Sequence, residues 1–292
     1  DEGLSLGTSA QWASKTVSLT YQGAYLDAKS YQDGHGDTVL DTLYRSQNHV
    51  LIAALKSDKQ QLAVKLNHQH IPFQGFANQY MDMVDNTSTG LTTQWVRQTE
   101  LGDFSAQINW QKVSHEMGFF SDEKTGKMPM KTDAEDTSYQ LKFAHELNPM
   151  STITIGQEFY LFEIEDWWPP VAGSMMMGPN DYHNIHDGKR QRLATFAQLD
   201  QQLTANWSVS SGLRLENVHT NAGLVQNYNS MPMMMPAMAM PMRSIDAKAA
   251  EQFNLQDRKQ SDTLLDATLL TRFHPSWKPF HAGTAGLQTL PG

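Results

Sequence analysis

Apolar and polar residues alternate with a period of two along most of the chain. Residues 104–111 (FSAQINWQ) place Phe, Ala, Ile and Trp on one parity and Ser, Gln and Asn on the other. Residues 139–143 (YQLKF) and 207–216 repeat this pattern, and helical periodicity is nearly absent. Because successive side chains of a β-strand point to opposite faces, the alternation predicts an all-β protein.

The alternating segments are long for strands. We place about eleven of them, near 4–12, 15–29, 42–55, 61–71, 90–99, 104–118, 137–147, 151–165, 190–203, 207–220 and 260–273. Strands of soluble proteins average ~5–6 residues. Tilted strands that cross the hydrocarbon of a bilayer need about 9–11 residues. The lengths therefore favour strands that span a membrane.

The segments that connect these strands alternate between short and long. The short ones are 57–60, 101–103, 148–150 and 204–206, and the long ones are roughly 72–90, 119–136, 166–189 and 221–258. Such a rhythm predicts an antiparallel transmembrane β-barrel with tight turns at one rim and all long loops at the other. We expect 166–189 and 221–258 to lack regular structure, because Pro and Met without periodicity cannot order a loop.

The two parities also differ in chemistry. One is apolar and aromatic, whereas the other carries Ser, Gln, Asn, Lys and Glu. An apolar outer face and a polar inner face are typical of a membrane barrel, and the reverse is typical of a small soluble one. The mean hydropathy of −0.51 fits this interpretation, because both loops and lumen contact water. No run of eighteen apolar residues exists, so no transmembrane helix is predicted.

Composition excludes several functions. The chain has 22 Lys and Arg against 31 Asp and Glu, a net charge of −9, which argues against a nucleic-acid partner. It has no cysteine, as expected of an exported protein. No Gly-rich phosphate loop, nucleophile elbow or His-Glu-x-x-His motif is present, so we expect neither an enzyme nor an organic cofactor.

Methionine is concentrated in the predicted loops. Seven of the twelve residues in 231–242 (MPMMMPAMAMPM) are methionine, and three prolines there exclude a regular helix. Thioethers favour Cu(I) over harder divalent ions, although methionine is also an adaptable apolar filler. Its recurrence in separate loops favours metal handling. The possible loop contacts are Met81, Met83, Met128, Met130, Met175, Met176, Met177, Met231, Met233, Met234 and Met235.

Several motifs carry a family resemblance. They are DWWPP at 166–170 followed by GP at 178–179 and NIHDGKR at 184–190, FQGF at 73–76, NQYMDM at 78–83, HEM at 115–117 and KMPM at 127–130. Together they resemble the TonB-dependent copper receptors of Gram-negative outer membranes, over roughly residues 15–275. The resemblance implies a barrel of about 22 strands with an N-terminal plug. We therefore expect residues 1–274 to be a partial barrel without the plug, about eleven of those strands, and 275–292 to be an irregular tail left by a truncation or frameshift.

His115 and Met117 form the strongest predicted metal site. They are two residues apart on a strand, so they share a face, and their parity is that of Gln107 and Asn109 in the lumen. Imidazole and thioether suit Cu(I) or Cu(II), and the alternative is a solvated lumenal histidine. The resemblance implies copper ligands in a His-x-Met at this strand, together with a Cys and a Met of the plug that have no counterpart here. His183 and His186, in the predicted loop after Met177, are further possible metal contacts.

These features predict part of an outer-membrane receptor for copper uptake. Its Met- and His-rich loops would capture the ion at the cell surface and pass it to the lumen. The expected partners are outer-membrane lipid and, for the full-length protein only, the TonB system. The alternatives are a receptor for a metal chelate, with an aromatic and Arg-rich lumen, and a surface protein that binds metal without transporting it.

Overall fold

The computed structural model of the protein describes residues 3–174, 177–226, 251–256 and 259–273. These residues form one antiparallel sheet of eleven strands whose spatial order is their chain order. The strands are β1 (Gly3–Ala13), β2 (Val17–Ala28), β3 (Tyr44–Lys56), β4 (Gln60–Gln74), β5 (Asp82–Thr99), β6 (Gly102–Gly118), β7 (Met130–Asn148), β8 (Ser151–Trp168), β9 (Tyr182–Gln202), β10 (Trp207–Asn221) and β11 (Gln260–Phe273). The prediction of eleven long antiparallel strands is confirmed.

The sheet is open. Within the described part of the chain, β1 pairs only with β2 and β11 pairs only with β10. A closed barrel satisfies the backbone groups of every strand, whereas these two edges leave theirs without a ladder partner in this sheet. The architecture is therefore a partial barrel, as predicted.

All long connections lie at one rim. The connections that follow β2, β4, β6, β8 and β10 span 29–43, 75–81, 119–129, 169–181 and 222–259, whereas those after odd-numbered strands span two to four residues. Because neighbouring strands are antiparallel, the connections after even-numbered strands share one edge of the sheet, which we call the long-loop rim. This arrangement confirms the predicted rhythm.

The strands extend further into this rim than the sequence predicted. Residues 72–90 were predicted to be a loop, but β4 reaches Gln74 and β5 begins at Asp82. The predicted loop 166–189 is likewise wrong at both ends, because β8 continues to Trp168 and β9 begins at Tyr182. Alternation fails as a signal there because both faces of the strand ends carry polar side chains. Of the predicted irregular segment 221–258, residue 221 ends β10 and a short helical turn covers 251–255, while 227–250 and 257–258 lie outside the described residues.

The two faces of the sheet differ as predicted. One exposes large aliphatic side chains, with Ile108 54%, Ile155 50% and Leu213 60% exposed. The other carries side-chain hydrogen bonds, such as those from Gln107 to Asn109 at 3.0 Å and from Asn109 to Ser138 at 3.2 Å. We call them the apolar face and the polar face. Such a sheet suits a wall between lipid and water. Among the residues that the structure describes, no helix is long and apolar enough to span a membrane.

A buried charge cluster links three connections of the long-loop rim through ion pairs and hydrogen bonds. Asp82, at the start of β5, is fully buried and forms an ion pair with Lys124 of the 119–129 loop. The Lys124 ammonium also lies 3.5 Å from Asp41 of the 29–43 loop, and it donates to the Phe76 carbonyl at 3.0 Å. Ser121 donates to Asp41 at 2.6 Å. These loops therefore form one packed layer over β2 to β7.

Candidate metal sites at the long-loop rim

His115 lies on the polar face near the end of β6. Its Nδ1 is 3.1 Å from the Asn86 Oδ1 of the neighbouring strand β5. An amide oxygen only accepts hydrogen bonds, so the proton of a neutral His115 is on Nδ1 and the lone pair is on Nε2. The imidazole is half-buried and is positioned to offer Nε2 as a ligand.

A row of polar side chains continues from His115 across the sheet. His115 is in register with Thr132 of β7, which is in register with Asp166 of β8. The Thr132 hydroxyl donates to Asp166 at 2.6 Å, and the Asn184 amide of β9 donates to the other oxygen of that carboxylate at 2.6 Å. We call this row the polar ladder, and His115 lies at its β6 end.

Three methionines form a second row, one step closer to the rim. Met117 of β6 is directly opposite Met83 of β5 on one side and Met130 of β7 on the other. Directly paired residues of adjacent strands present their side chains on the same face. Met117 also shares the face of His115, two residues away. The structure thus brings three thioethers and one imidazole to one region of the polar face, which we call the Met–His site.

The methionine pairs predicted to be loop contacts divide between strands and loops. Met83 and Met130 lie inside β5 and β7, so their placement in loops was wrong. Met81 and Met128 lie in the 75–81 and 119–129 connections. Sequence reasoning could not find the row of three, because the row depends on the register between strands.

The other predicted contacts lie in the two later connections. Met177 is in the 169–181 connection, where its carbonyl accepts a hydrogen bond from the Val171 amide at 2.7 Å. The remaining methionines of the prediction, Met175, Met176, Met231, Met233, Met234 and Met235, lie outside the described residues.

His183 and His186 are in β9 and not in the loop where the sequence placed them. The two imidazole rings have centroids 4.5 Å apart. The Glu165 carboxylate of β8 joins them, and one ligand atom from each of the three residues lies within 4.8 Å of the others. Sequence reasoning missed Glu165, because the pairing of β8 with β9 brings it to histidines about twenty residues away.

Comparison with known proteins identifies the fold. No family model and no curated protein matches the chain. Among solved structures, the copper transporter OprC is similar, with 13% sequence identity and a TM-score of 0.68 over 91% of this chain and 40% of its own. The FrpB iron transporter from Neisseria meningitidis matches with 10% identity and a TM-score of 0.64, over 94% of this chain and 43% of its own.

A third similar solved structure is a receptor for a different ligand. The ferric yersiniabactin uptake receptor FyuA from Yersinia pestis matches with 10% identity and a TM-score of 0.55, over 92% of this chain and 42% of its own. The three are TonB-dependent outer-membrane receptors, and the chain spans about two fifths of the length of each. The resemblance inferred from sequence motifs is therefore confirmed at the level of the fold.

Proposed function

We propose that this chain forms part of the wall and the rim of an outer-membrane receptor that takes up copper. Its fold is that of part of a TonB-dependent receptor barrel. The observation that carries the proposal is the Met–His site, where Met83, Met117 and Met130 are in register beside His115. A receptor for some metal or metal chelate agrees with all three similar structures. Among metal ions, copper is the one that the donor atoms of this site favour.

Ligand chemistry favours Cu(I) at the Met–His site. Thioether sulfur is a soft donor that selects Cu(I), whereas Fe(III), Mg²⁺ and Ca²⁺ take oxygen ligands. The chain has no cysteine, so methionine supplies all of its soft donors. One imidazole and up to three thioethers can fill the coordination sphere of Cu(I) without adding a negative charge.

The alternative, a receptor for anionic chelates, needs uncompensated cations in its lumen. Arg190 and Arg192 of β9 lie on the polar face, so the charges of this face leave that alternative open. Arg214 of β10, by contrast, donates to Glu158 at 2.8 Å and to Glu216 at 3.0 Å. Both carboxylates sit on the same face, so the guanidinium charge is already neutralised.

The connections of the long-loop rim supply further thioethers in this proposal. Met175–Met177 belong to the connection between β8 and β9, and residues 231–242 belong to the one between β10 and β11. Both connections leave from the rim that carries the Met–His site. We therefore assign them the capture of copper at the cell surface, with transfer to His115 and Met117 in the lumen. In the full-length protein, the TonB system would drive release.

Titration with Cu(I) tests the proposal. The full-length protein in detergent micelles competes for Cu(I) with a chromophoric chelator under anaerobic conditions. Met117→Leu removes the sulfur at nearly constant volume, and we expect it to weaken the tightest Cu(I) site about tenfold or more. The matched control is Met150→Leu, since Met150 is 61% exposed in a turn at the opposite rim. Equal affinities for wild type and Met117→Leu would contradict the proposal.

A further inference from the structure

We propose that Glu165, His183 and His186 form a second metal site, which takes a borderline divalent cation such as Zn²⁺. One ligand atom from each of the three side chains lies within 4.8 Å of the other two. All three side chains are half-buried, so an ion bound among them is partly shielded from water. This site is independent of the copper site proposed above.

The second site lies on the opposite face of the sheet from His115. Asn184 donates to Asp166 and so belongs to the polar ladder, and its chain neighbour His183 points the other way, towards Glu165 at 3.9 Å. Glu165 is directly opposite Asp133 of β7. It lines a shallow surface depression with Lys112, Asp133, Glu135, Glu163 and Asp187. An ion held there is separated from the lumen by the sheet itself.

Irregular pairing between β8 and β9 creates the cluster. In a regular strand His183 and His186, three residues apart, would point to opposite faces. The register shifts twice here, between Ile164 and Asp166 and again between Asp166 and Trp167. Asp187 also has a positive φ of 45°, which re-aims the backbone beside His186. Such bulges occur next to functional sites, where they re-aim side chains.

The hydrogen bonds around the three side chains leave ligand atoms free. The His186 Nδ1–H donates to the Leu224 carbonyl at 2.6 Å, so Nε2 keeps its lone pair for a metal. The Asp187 amide donates to the Glu165 Oε1 at 2.8 Å and orients that carboxylate, while Oε2 faces His183. A backbone carbonyl behind a histidine and a donor behind a carboxylate are the usual supports of metal ligands.

His183 supplies the observation that most directly indicates a missing ligand. Its Nδ1 is buried and has no hydrogen-bond partner within the described part of the chain. Burying a polar nitrogen without a partner is unfavourable, because the nitrogen loses its hydrogen bond to water. A cation between His183 and Glu165 satisfies this nitrogen and the free carboxylate oxygen together.

The donor set distinguishes this site from the Met–His site. Its three residues offer two imidazoles and one carboxylate and no thioether. These donors suit Zn²⁺ or Cu²⁺. Three protein ligands leave one coordination position for water, as in open zinc sites. Because His186 is also bonded to Leu224, a bound ion links β8 and β9 to the connection that follows β10.

Zn²⁺ titration of the full-length protein in detergent micelles tests this site. We expect Glu165→Gln and His186→Gln each to raise the Zn²⁺ dissociation constant about tenfold or more. The matched controls are Glu163→Gln, whose carboxylate binds Lys189 at 3.0 Å instead, and Met117→Leu, which removes a ligand of the copper site. Both controls should leave Zn²⁺ affinity unchanged, and Glu165→Gln should leave Cu(I) affinity unchanged. Unchanged Zn²⁺ affinity in both ligand variants would overturn the site, whatever the outcome for copper.

A spectroscopic readout on the wild-type protein keeps the test independent of variant folding. Cu²⁺ added as a Zn²⁺ surrogate should give an electron paramagnetic resonance spectrum with coupling to two imidazole nitrogens. Zn²⁺ should reduce that signal only in large excess over Cu²⁺, because Cu²⁺ binds such ligands more tightly than Zn²⁺. A spectrum with no imidazole coupling would overturn the proposal.

Discussion

Replacing Lys124 by methionine tests whether the buried charge cluster holds the long-loop rim together. The side chain of Lys124 is 9% exposed and that of Asp82 is fully buried, so both charges are shielded from water. Lys124→Met keeps the aliphatic stem and removes the ammonium. Asp82 then retains the amides of Phe76 at 2.9 Å and Phe120 at 3.1 Å as its donors, and it loses its counter-charge.

The expected cost follows from this burial. Removing one partner of a buried ion pair destabilises a protein by about 3–5 kcal/mol, because the remaining charge is uncompensated. In this cluster two carboxylates, Asp41 and Asp82, share the one ammonium of Lys124, which favours the upper half of that range. The loss affects the loop layer and not the whole sheet, because the ladders of β2 to β7 do not depend on Lys124.

Hydrogen–deuterium exchange of the 75–81 and 119–129 connections measures this loss. A local destabilisation of about 4 kcal/mol or more speeds exchange about 500-fold or more. Lys127→Met, in the same loop at an exposed position, is the matched control and should change exchange little. Adding Asp82→Asn to Lys124→Met should recover part of the protection, since it removes the unpaired charge. Equal exchange in Lys124→Met and Lys127→Met would refute the reasoning.

Two further substitutions test the loop layer and the orientation of His115. Gly75→Ala should also speed exchange in the 29–43 connection, because its Cβ would lie 2.4 Å from the Asp41 carbonyl carbon. The control is Gly34→Ala, which has open space at its Cβ. Equal exchange in both variants would show that this close approach is unimportant. Asn86→Ala should weaken Cu(I) binding about tenfold or more in the chelator competition, because it removes the hydrogen bond that orients His115. Unaltered Cu(I) affinity in Asn86→Ala would show that His115 needs no such support.

The sequence predicted the wall of the molecule better than its rim. Where a strand separates an apolar from a polar environment, its residues alternate, as in 104–111, and β6 is recovered almost to its ends. Towards the long-loop rim both faces of the strands are polar, as at Asp85 and Asn86. There the alternation of apolar and polar residues stops, although the hydrogen-bonded pairing between strands continues. The predicted loops were therefore too long.

The candidate sites depend on information that periodicity does not carry. The parity of His115 and Met117 was predictable, because it needs one strand only. The row of Met83, Met117 and Met130 needs the register of three strands, and Glu165 needs two bulges. The ion pair of Asp82 with Lys124 joins loops that have no sequence periodicity at all.

Copper accumulation by cells tests the central proposal most directly. Cells that lack the gene are complemented with the full-length wild-type protein, the double variant His115→Ala/Met117→Leu, or Glu165→Gln, and their copper content is measured after growth in copper-poor medium. The double variant should fall to the level of uncomplemented cells at equal outer-membrane abundance, whereas Glu165→Gln should match wild type. Wild-type accumulation in cells that carry the double variant would contradict the assignment of the Met–His site to copper uptake.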